Sequence, residues 1–436
     1  MRSVEQRRYS RMIEHAVNHP GQPMIVGGFP GLGKTQGYLT PLIQSGKRVA
    51  ICLPTRFLIQ QLLSSDSLKR SLQGHEGVEI FELKSKLHFE SDVLWQQHKK
   101  QAHQAQILVC THAAAIIDAL APGYANLRER EVVLFDEAEL LADAADLRAT
   151  FMLPRMLLES YRVDLHEYEK AARTVLQKCK NHDFQAAAKA ILKALECPAW
   201  YQSVGKDGQG NLILKHRSPG RLLAPLINEI PRVIFTGGTV FVNGTAQFFA
   251  QAIGLKDMDA FSLHFEPVDV HGRLSIFTAK EPLELKDKAA IIQQAPRPCL
   301  VLTPSHREAN ELGSLIPDAV VRASDEHLMD ALHRTPDNGI LIAAGAFAGM
   351  DVPRLRWTSV VISTVPYGQP VLLDNKYATH YLDSRMTAVR RIYQGLHRGL
   401  RTPDASCNLY LLDPRILRPD LRCAIPVRFK FPGQSI

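Results

Sequence analysis

Residues 27–38 read GGFPGLGKTQGY. Gly28, Gly33, Lys34 and Thr35 complete the spacing G-x-x-x-x-G-K-[ST]. Glycines at this density let backbone N–H groups curl around a phosphate. Lys34 is spaced to reach β- and γ-phosphates, and Thr35 to ligate Mg²⁺. A second acidic group is needed for the metal, and EVVLFDEAEL (residues 131–140) supplies it. Asp136 follows four apolar residues, so it sits at the C-terminal end of a buried strand, where open α/β sheets gather their ligands. Asp136 can hold the Mg²⁺ shell, and Glu137 can orient or deprotonate an attacking water. Taken alone, EVVLFDEAEL could also be a helix start with ordinary acidic residues.

These residues need elements to hold them. Met24 to Val26 form an apolar run into the glycines, and Tyr38, Leu39, Leu42 and Ile43 follow at helical spacing. The loop therefore joins a strand to a helix, whose positive end points at the phosphate. From about residue 275 the α/β texture returns in RPCLVLTPSHREANELGSL, NGILIAAGAFAGMDVP, TSVVISTVPYG and CNLYLLDPRI, without a second phosphate loop. Gln394, Arg398 and Arg401 fall on one face of a basic helix in RRIYQGLHRGLR. Such a face can be plain solvated surface, or it can bring arginines onto a transferring phosphoryl group.

Length and composition bound the answer. The 436 residues require two or three domains. Lys+Arg total 52 against 44 Asp+Glu, a net +8 that permits a polyanionic partner without demanding one. Seven cysteines, at 52, 110, 179, 197, 299, 407 and 423, form no C-x-x-C pair, so no zinc ribbon or disulfide framework is expected, and a cytoplasmic location is. The charged start MRSVEQRRYS is not that of a signal peptide, and no apolar run approaches a membrane span.

The motif order resembles a superfamily 2 helicase, and more narrowly its DinG/XPD-like branch. GFPGLGKT resembles motif I, LPTRFLIQQL motif Ia, and ILVCTHAAAI that branch's strand ending in a His-Ala turn. DEAE (Asp136 to Glu139) is similar to the DEAH box with Glu139 replacing His. FTGGTVFVNGTAQFFAQAIGL resembles motif III and the helix after it; LVLTPSHRE, GAFAGMDVP and QGLHRGLR resemble motifs IV, V and VI, with His397 in place of a glycine.

The resemblance implies an α/β chain of two RecA-like parallel-sheet domains with a mainly helical insertion in the first. The expected divisions are 1–150, an arch-like insertion at 151–228, the rest of the first domain at 229–272, and the second domain at 273–436. ATP with Mg²⁺ would lie between the domains. Gln6, Gly28, Gly31, Gly33, Lys34, Thr35 and Asp351 would bind the nucleotide, Thr35 and Asp136 the metal. Lys34, Glu137, Gln394, Arg398 and Arg401 would carry the hydrolysis. Thr55, Arg56, Thr111, His112, Thr303, Ser305 and Arg307 would meet nucleic acid. The implied partner is single-stranded DNA or a forked duplex, travelled 5′ to 3′, with RNA not excluded, and a protein or ribonucleoprotein complex is a further possible partner. No membrane is implied.

Many members of the branch carry four iron–sulfur cysteines between motifs Ia and II. Here only Cys110 lies there, and residues 64–106 are short, polar and lysine-rich, so no cluster is expected. Two other readings stand: an ATPase motor subunit that does not unwind alone, and a P-loop phosphotransferase. In the insertion, Tyr161, Leu165, Tyr168, Val175 and Leu176 suit one amphipathic helix, and Phe184, Ala187, Ala188, Ile191, Leu192 and Leu195 a second with Asp183 as N-cap. GKDGQGN reads as a hairpin turn. The insertion could also be a packing subdomain that touches no DNA.

Overall fold

The structure is a computed structural model. It describes residues 4–29, 32–164, 166–196, 202–216, 219–242, 244–255, 261–265, 273–347, 357–368, 372–374, 376–377, 381–399, 406–425 and 434–435. Gly31, Asp351 and Arg401 therefore lie outside the described residues.

The first sheet begins with β1 (Met24–Gly28), β2 (Val49–Leu53), β3 (Ile80–Glu82), β4 (Ile107–Thr111) and β5 (Val132–Phe135). An insertion follows, with β6 (Phe151–Leu153), β7 (Gln202–Lys206) and β8 (Leu212–His216). The chain then returns through β9 (Val233–Gly237) and β10 (Phe261–Phe265). Spatial order is β10-β1-β9-β5-β2-β4-β3, every pair parallel. The apolar runs are continuous because both faces are covered. Alternate residues serve opposite faces: Ile25, Cys52, Phe135 and Phe235 pack on one side, Val26, Ile51, Leu134 and Ile234 on the other.

The second sheet contains β11 (Arg273–Thr278), β12 (Cys299–Thr303), β13 (Ala319–Val321), β14 (Ile340–Ala344) and β15 (Ser359–Ile362). A small hairpin, β16 (Leu372–Leu373) with β17 (Lys376–Tyr377), interrupts it before β18 (Ser406–Leu411) and β19 (Gln434–Ser435). Its order, β13-β14-β12-β15-β18-β11-β19, is again wholly parallel. The two parallel-sheet domains expected from the sequence are therefore present. No helix among the described residues is long and apolar enough to cross a membrane.

The insertion holds helices Arg155–Ser160, Tyr168–Lys178 and His182–Glu196 over the antiparallel sheet β6-β8-β7. Two local expectations are corrected. The first amphipathic run is not one helix, because Tyr161 caps the end of Arg155–Ser160 and the next helix starts at Tyr168; Leu165 lies outside the described residues. The second helix is capped by Asn181 rather than Asp183: the Asn181 Oδ1 accepts from Asp183 N at 2.8 Å and Phe184 N at 3.3 Å. Asn and Asp compete closely as caps, and here Asn181, two residues earlier, wins because its carbonyl accepts from Gln185 N and starts the helix. The turn between β7 and β8 is a hairpin as read.

That hairpin also grips the second domain. Asp374, left-handed at φ 46°, accepts from the Tyr168 hydroxyl and from Lys206 N, and its own N–H donates to Lys206 O at 3.1 Å. Ile213 and Leu373 pack beside it. At Gly205 an added Cβ would meet Asp374 Oδ2 at 2.6 Å, so only glycine allows the approach.

Candidate active site

Sheet order assembles the site. β9 lies between β1 and β5, so the loops leaving all three open at one C-terminal edge. Gly33 takes φ 81° and ends the phosphate loop at the helix Lys34–Gln44. Gly28 is crowded: a Cβ there would meet Leu32 Cδ2 at 2.7 Å and Lys34 Cδ at 3.1 Å. Gln6, on the N-terminal helix Val4–Asn18, donates from Nε2 to Gly33 O at 3.0 Å. It thus sits against the loop, although it is remote in sequence.

Asp136 is buried at the end of β5. Its Oδ2 accepts from the Tyr38 hydroxyl at 2.8 Å and its Oδ1 from Glu137 N at 2.9 Å. Burial, then the charge of Glu137, pushes the Asp136 carboxyl up to about 6, against Lys34. Burial, then the charge of Glu139, pushes Glu137 up to about 7, against Lys34 and Arg398. Hard oxygen donors beside a Thr suit a divalent ion such as Mg²⁺. Thr35 and Asp136 would be its protein ligands.

Glu139 does not face solvent. Its Oε1 accepts from Thr239 N at 3.1 Å and from the Thr239 hydroxyl at 2.7 Å. Gly237 makes the room, since a Cβ there would meet Glu139 Oε2 at 1.8 Å. The Thr239 hydroxyl in turn accepts from Gln394 Nε2 at 3.0 Å. Gln394 belongs to helix Tyr381–Leu396 of the second domain, so this chain of hydrogen bonds crosses between domains. Arg398 does not share a helix face with Gln394 as expected, because the helix ends at Leu396; from the turn that follows it donates from Nε (3.1 Å) and one terminal nitrogen (2.7 Å) to Phe347 O.

The seven residues expected to meet nucleic acid divide. Thr55, Thr111 and Ser305 cap helices that leave β2, β4 and β12, accepting from Leu58 N, Ala114 N and Glu308 N. Arg56 and Arg307 are exposed; Arg56 contacts His88 Nε2 at 2.6 Å. His112 and Thr303 are not at the surface. His112 is fully buried, its Nε2 2.9 Å from Asp136 O, and burial holds its imidazole down at about 4. Thr303 is buried and donates to Ser305 O at 3.1 Å. The His112 ring thus supports the acidic turn, and the Thr303 hydroxyl supports the turn at Ser305.

Sequence reasoning missed three contributors. Tyr38 had been counted only as an apolar helix position. Thr239 lay inside a quoted segment, but its partners come from residues 100 and 155 positions away. Arg390, one turn before Gln394, donates to Glu139 O at 2.5 Å and to Asp143 Oδ2 at 2.7 Å.

Residues 8–162 match the DEAD/DEAH box helicase family. The matched segment carries both the phosphate loop and the acidic turn. Helicase domains of this kind hydrolyse ATP with a divalent metal. No curated protein matches the sequence. Among solved structures, an XPD helicase is similar at 15% identity and TM-score 0.68 over 100% of both chains. Apo XPD is similar at 16% identity and TM-score 0.68, over 98% of this chain and 99% of its own. Xpd4 of S. tokodaii is similar at 14% identity and TM-score 0.62, over 99% of each. The helicase domain thus lies in a chain whose whole fold is XPD-like.

Proposed function

We propose that the chain is an ATP-driven motor that moves along a single strand, DNA in the 5′ to 3′ direction, and opens a forked duplex. The observation that carries this reading is the convergence of both domains on one pocket. Gln394 is bonded to Thr239, and the charge of Arg398 acts on Glu137. A small-molecule phosphotransferase has no need of a second parallel-sheet domain closing on its phosphate loop.

In this reading Gly28, Gly33 and Lys34 cradle the phosphates. Thr35 and Asp136 would hold Mg²⁺, which would neutralise charge on the phosphate oxygens. Glu137 holds the attacking water on line with the γ-phosphorus and takes its proton as the water oxygen bonds to phosphorus. The bond from that phosphorus to the β–γ bridging oxygen breaks, and Lys34 with Arg398 faces the charge left on the oxygens. Gln394 reports closure through Thr239. The helix starts at Thr55, Thr111 and Ser305, with the exposed Arg56 and Arg307, offer N–H groups and cations to a phosphodiester backbone, so binding is sequence-tolerant and weakened by salt.

The deciding experiment is the ATPase rate with and without single-stranded DNA or RNA, in the wild type and two variants. Stimulation by a single strand is expected. Glu137→Gln keeps ATP binding and loses turnover. Arg398→Ala loses on the order of a thousandfold in turnover with little change in nucleotide affinity. A rate indifferent to nucleic acid, or normal turnover in Glu137→Gln, overturns the reading.

A motor subunit that requires a protein partner is the second reading. One observation favours it: Leu87 is 92% exposed and Val93 66%, on turns joined by the Lys86–Asp92 ion pair at 2.7 Å. Efficient unwinding by the purified chain alone removes this alternative.

A further inference from the structure

Glu137 is held in the left-handed region at φ 46°. A β-carbon-bearing residue adopts that conformation only when its surroundings impose it. The turn Ala138–Leu140 follows at once, so whatever fixes this turn fixes the direction of the Glu137 carboxylate. Two anchors hold it. One lies within the first domain: the Glu139 side chain on Thr239. The other comes from the second domain: one terminal nitrogen of the Arg390 guanidinium on the carbonyl of Glu139, with the other terminal nitrogen on Asp143. The Arg390 side chain is 12% exposed, and Asp143 lies one turn beyond the carbonyl it accompanies. Arg390 and Gln394 lie one turn apart on a second-domain helix, which therefore carries the clamp and the closure contact on one face, and Arg398 follows in the turn just past its end.

We infer that Arg390 is a positioning residue, which sets the water-orienting carboxylate of Glu137 from the opposite domain. Hydrolysis is then gated by domain closure through the backbone of the acidic turn, in addition to any contact with phosphate. This inference rests on the hydrolytic reading above. It adds that the second domain controls the first domain's acid.

Arg390→Met keeps the aliphatic stem and removes the fork. It is expected to lower the turnover number on the order of a hundredfold, the cost of misplacing a reacting group by about 1 Å, while the KM for ATP changes less than about threefold. Asp143→Asn, which leaves the bond to the Glu139 carbonyl in place, is expected to lose less. In a Glu137→Gln background, which binds ATP without turning it over, Arg390→Met should leave ATP affinity unchanged, because the phosphate and metal ligands stay in place. A merely structural role would weaken ATP binding there as well. Amide hydrogen exchange at residues 137–140 should quicken in Arg390→Met. Turnover within twofold of wild type, a loss of ATP affinity as large as the loss of turnover, or unchanged exchange at those amides overturns the inference. If the wild type itself hydrolyses no ATP, the functional reading fails, and the exchange measurement still decides whether Arg390 clamps the turn.

Discussion

Tyr38 shows how a site residue can hide in a hydrophobic pattern. Its ring fills the core under the phosphate loop, and its hydroxyl donates to Asp136 Oδ2 at 2.8 Å. Burial, chiefly, raises the phenol well above its usual range, so it stays a donor. Hydrogen bonds to charged groups contribute about 1.5–3 kcal/mol. Tyr38→Phe should leave the fold intact and let the carboxylate turn, raising the Mg²⁺ concentration for half-maximal ATPase about tenfold. An unchanged Mg²⁺ titration would show that Glu137 N alone orients Asp136. Lys34, Thr35, Asp136 and Glu137 were legible in the sequence because the chemistry fixes their types and local spacing. Tyr38 and Arg390 were not, since helical periodicity says only which face is covered, not what the buried hydroxyl or guanidinium meets. His112 was legible as a strand-end residue, but its burial under Asp136 O depends on β4 and β5 flanking β2, which local sequence does not reveal.

At the scale of elements, strands were read well where both faces are buried, because continuous apolar runs such as Val132 to Phe135 leave few alternatives. The short, half-buried β3 and β13 were not foreseen, since three residues carry too little pattern. The insertion was read as two helices and a hairpin, and the break at Tyr161 escaped because its spacing continued the helical period across a turn. What no local pattern could reveal is that the hairpin reaches the second domain through Asp374. Asp374→Ala removes both acceptor contacts and leaves the nucleotide pocket untouched. It should reduce unwinding of a forked duplex severalfold while single-strand-stimulated ATPase stays within about twofold. Trimming the insertion should do the same more strongly. A parallel fall in both activities would make the hairpin contact part of the ATP cycle rather than of strand handling.

For the whole molecule, direction of travel depends on how a strand lies across both domains, and the proposal is that a fork with a 5′ single-stranded tail is opened better than one with a 3′ tail. Preference for the 3′ tail would sink the polarity while leaving the two-domain motor standing. The proposal also includes no iron–sulfur cluster. Purified protein should be colourless near 400 nm, and about four irons per chain would overturn this. The sheet order has one more consequence, for synthesis. The phosphate loop leaves the ribosome well before β9, yet β1 has no neighbour until β9 arrives, because β9 separates it from β5. A nascent chain that has reached residue 162 holds β5-β2-β4-β3 as one block and β1 as a loose strand, with a central slot between them. Both sides of that slot are unpaired strand edges, which invite pairing with other chains. Residues 1–162 expressed alone should therefore aggregate, and residues 1–265, which add β9 and β10, should be soluble. Equal solubility of the two would mean that the slot is closed in some other way while translation of the insertion proceeds.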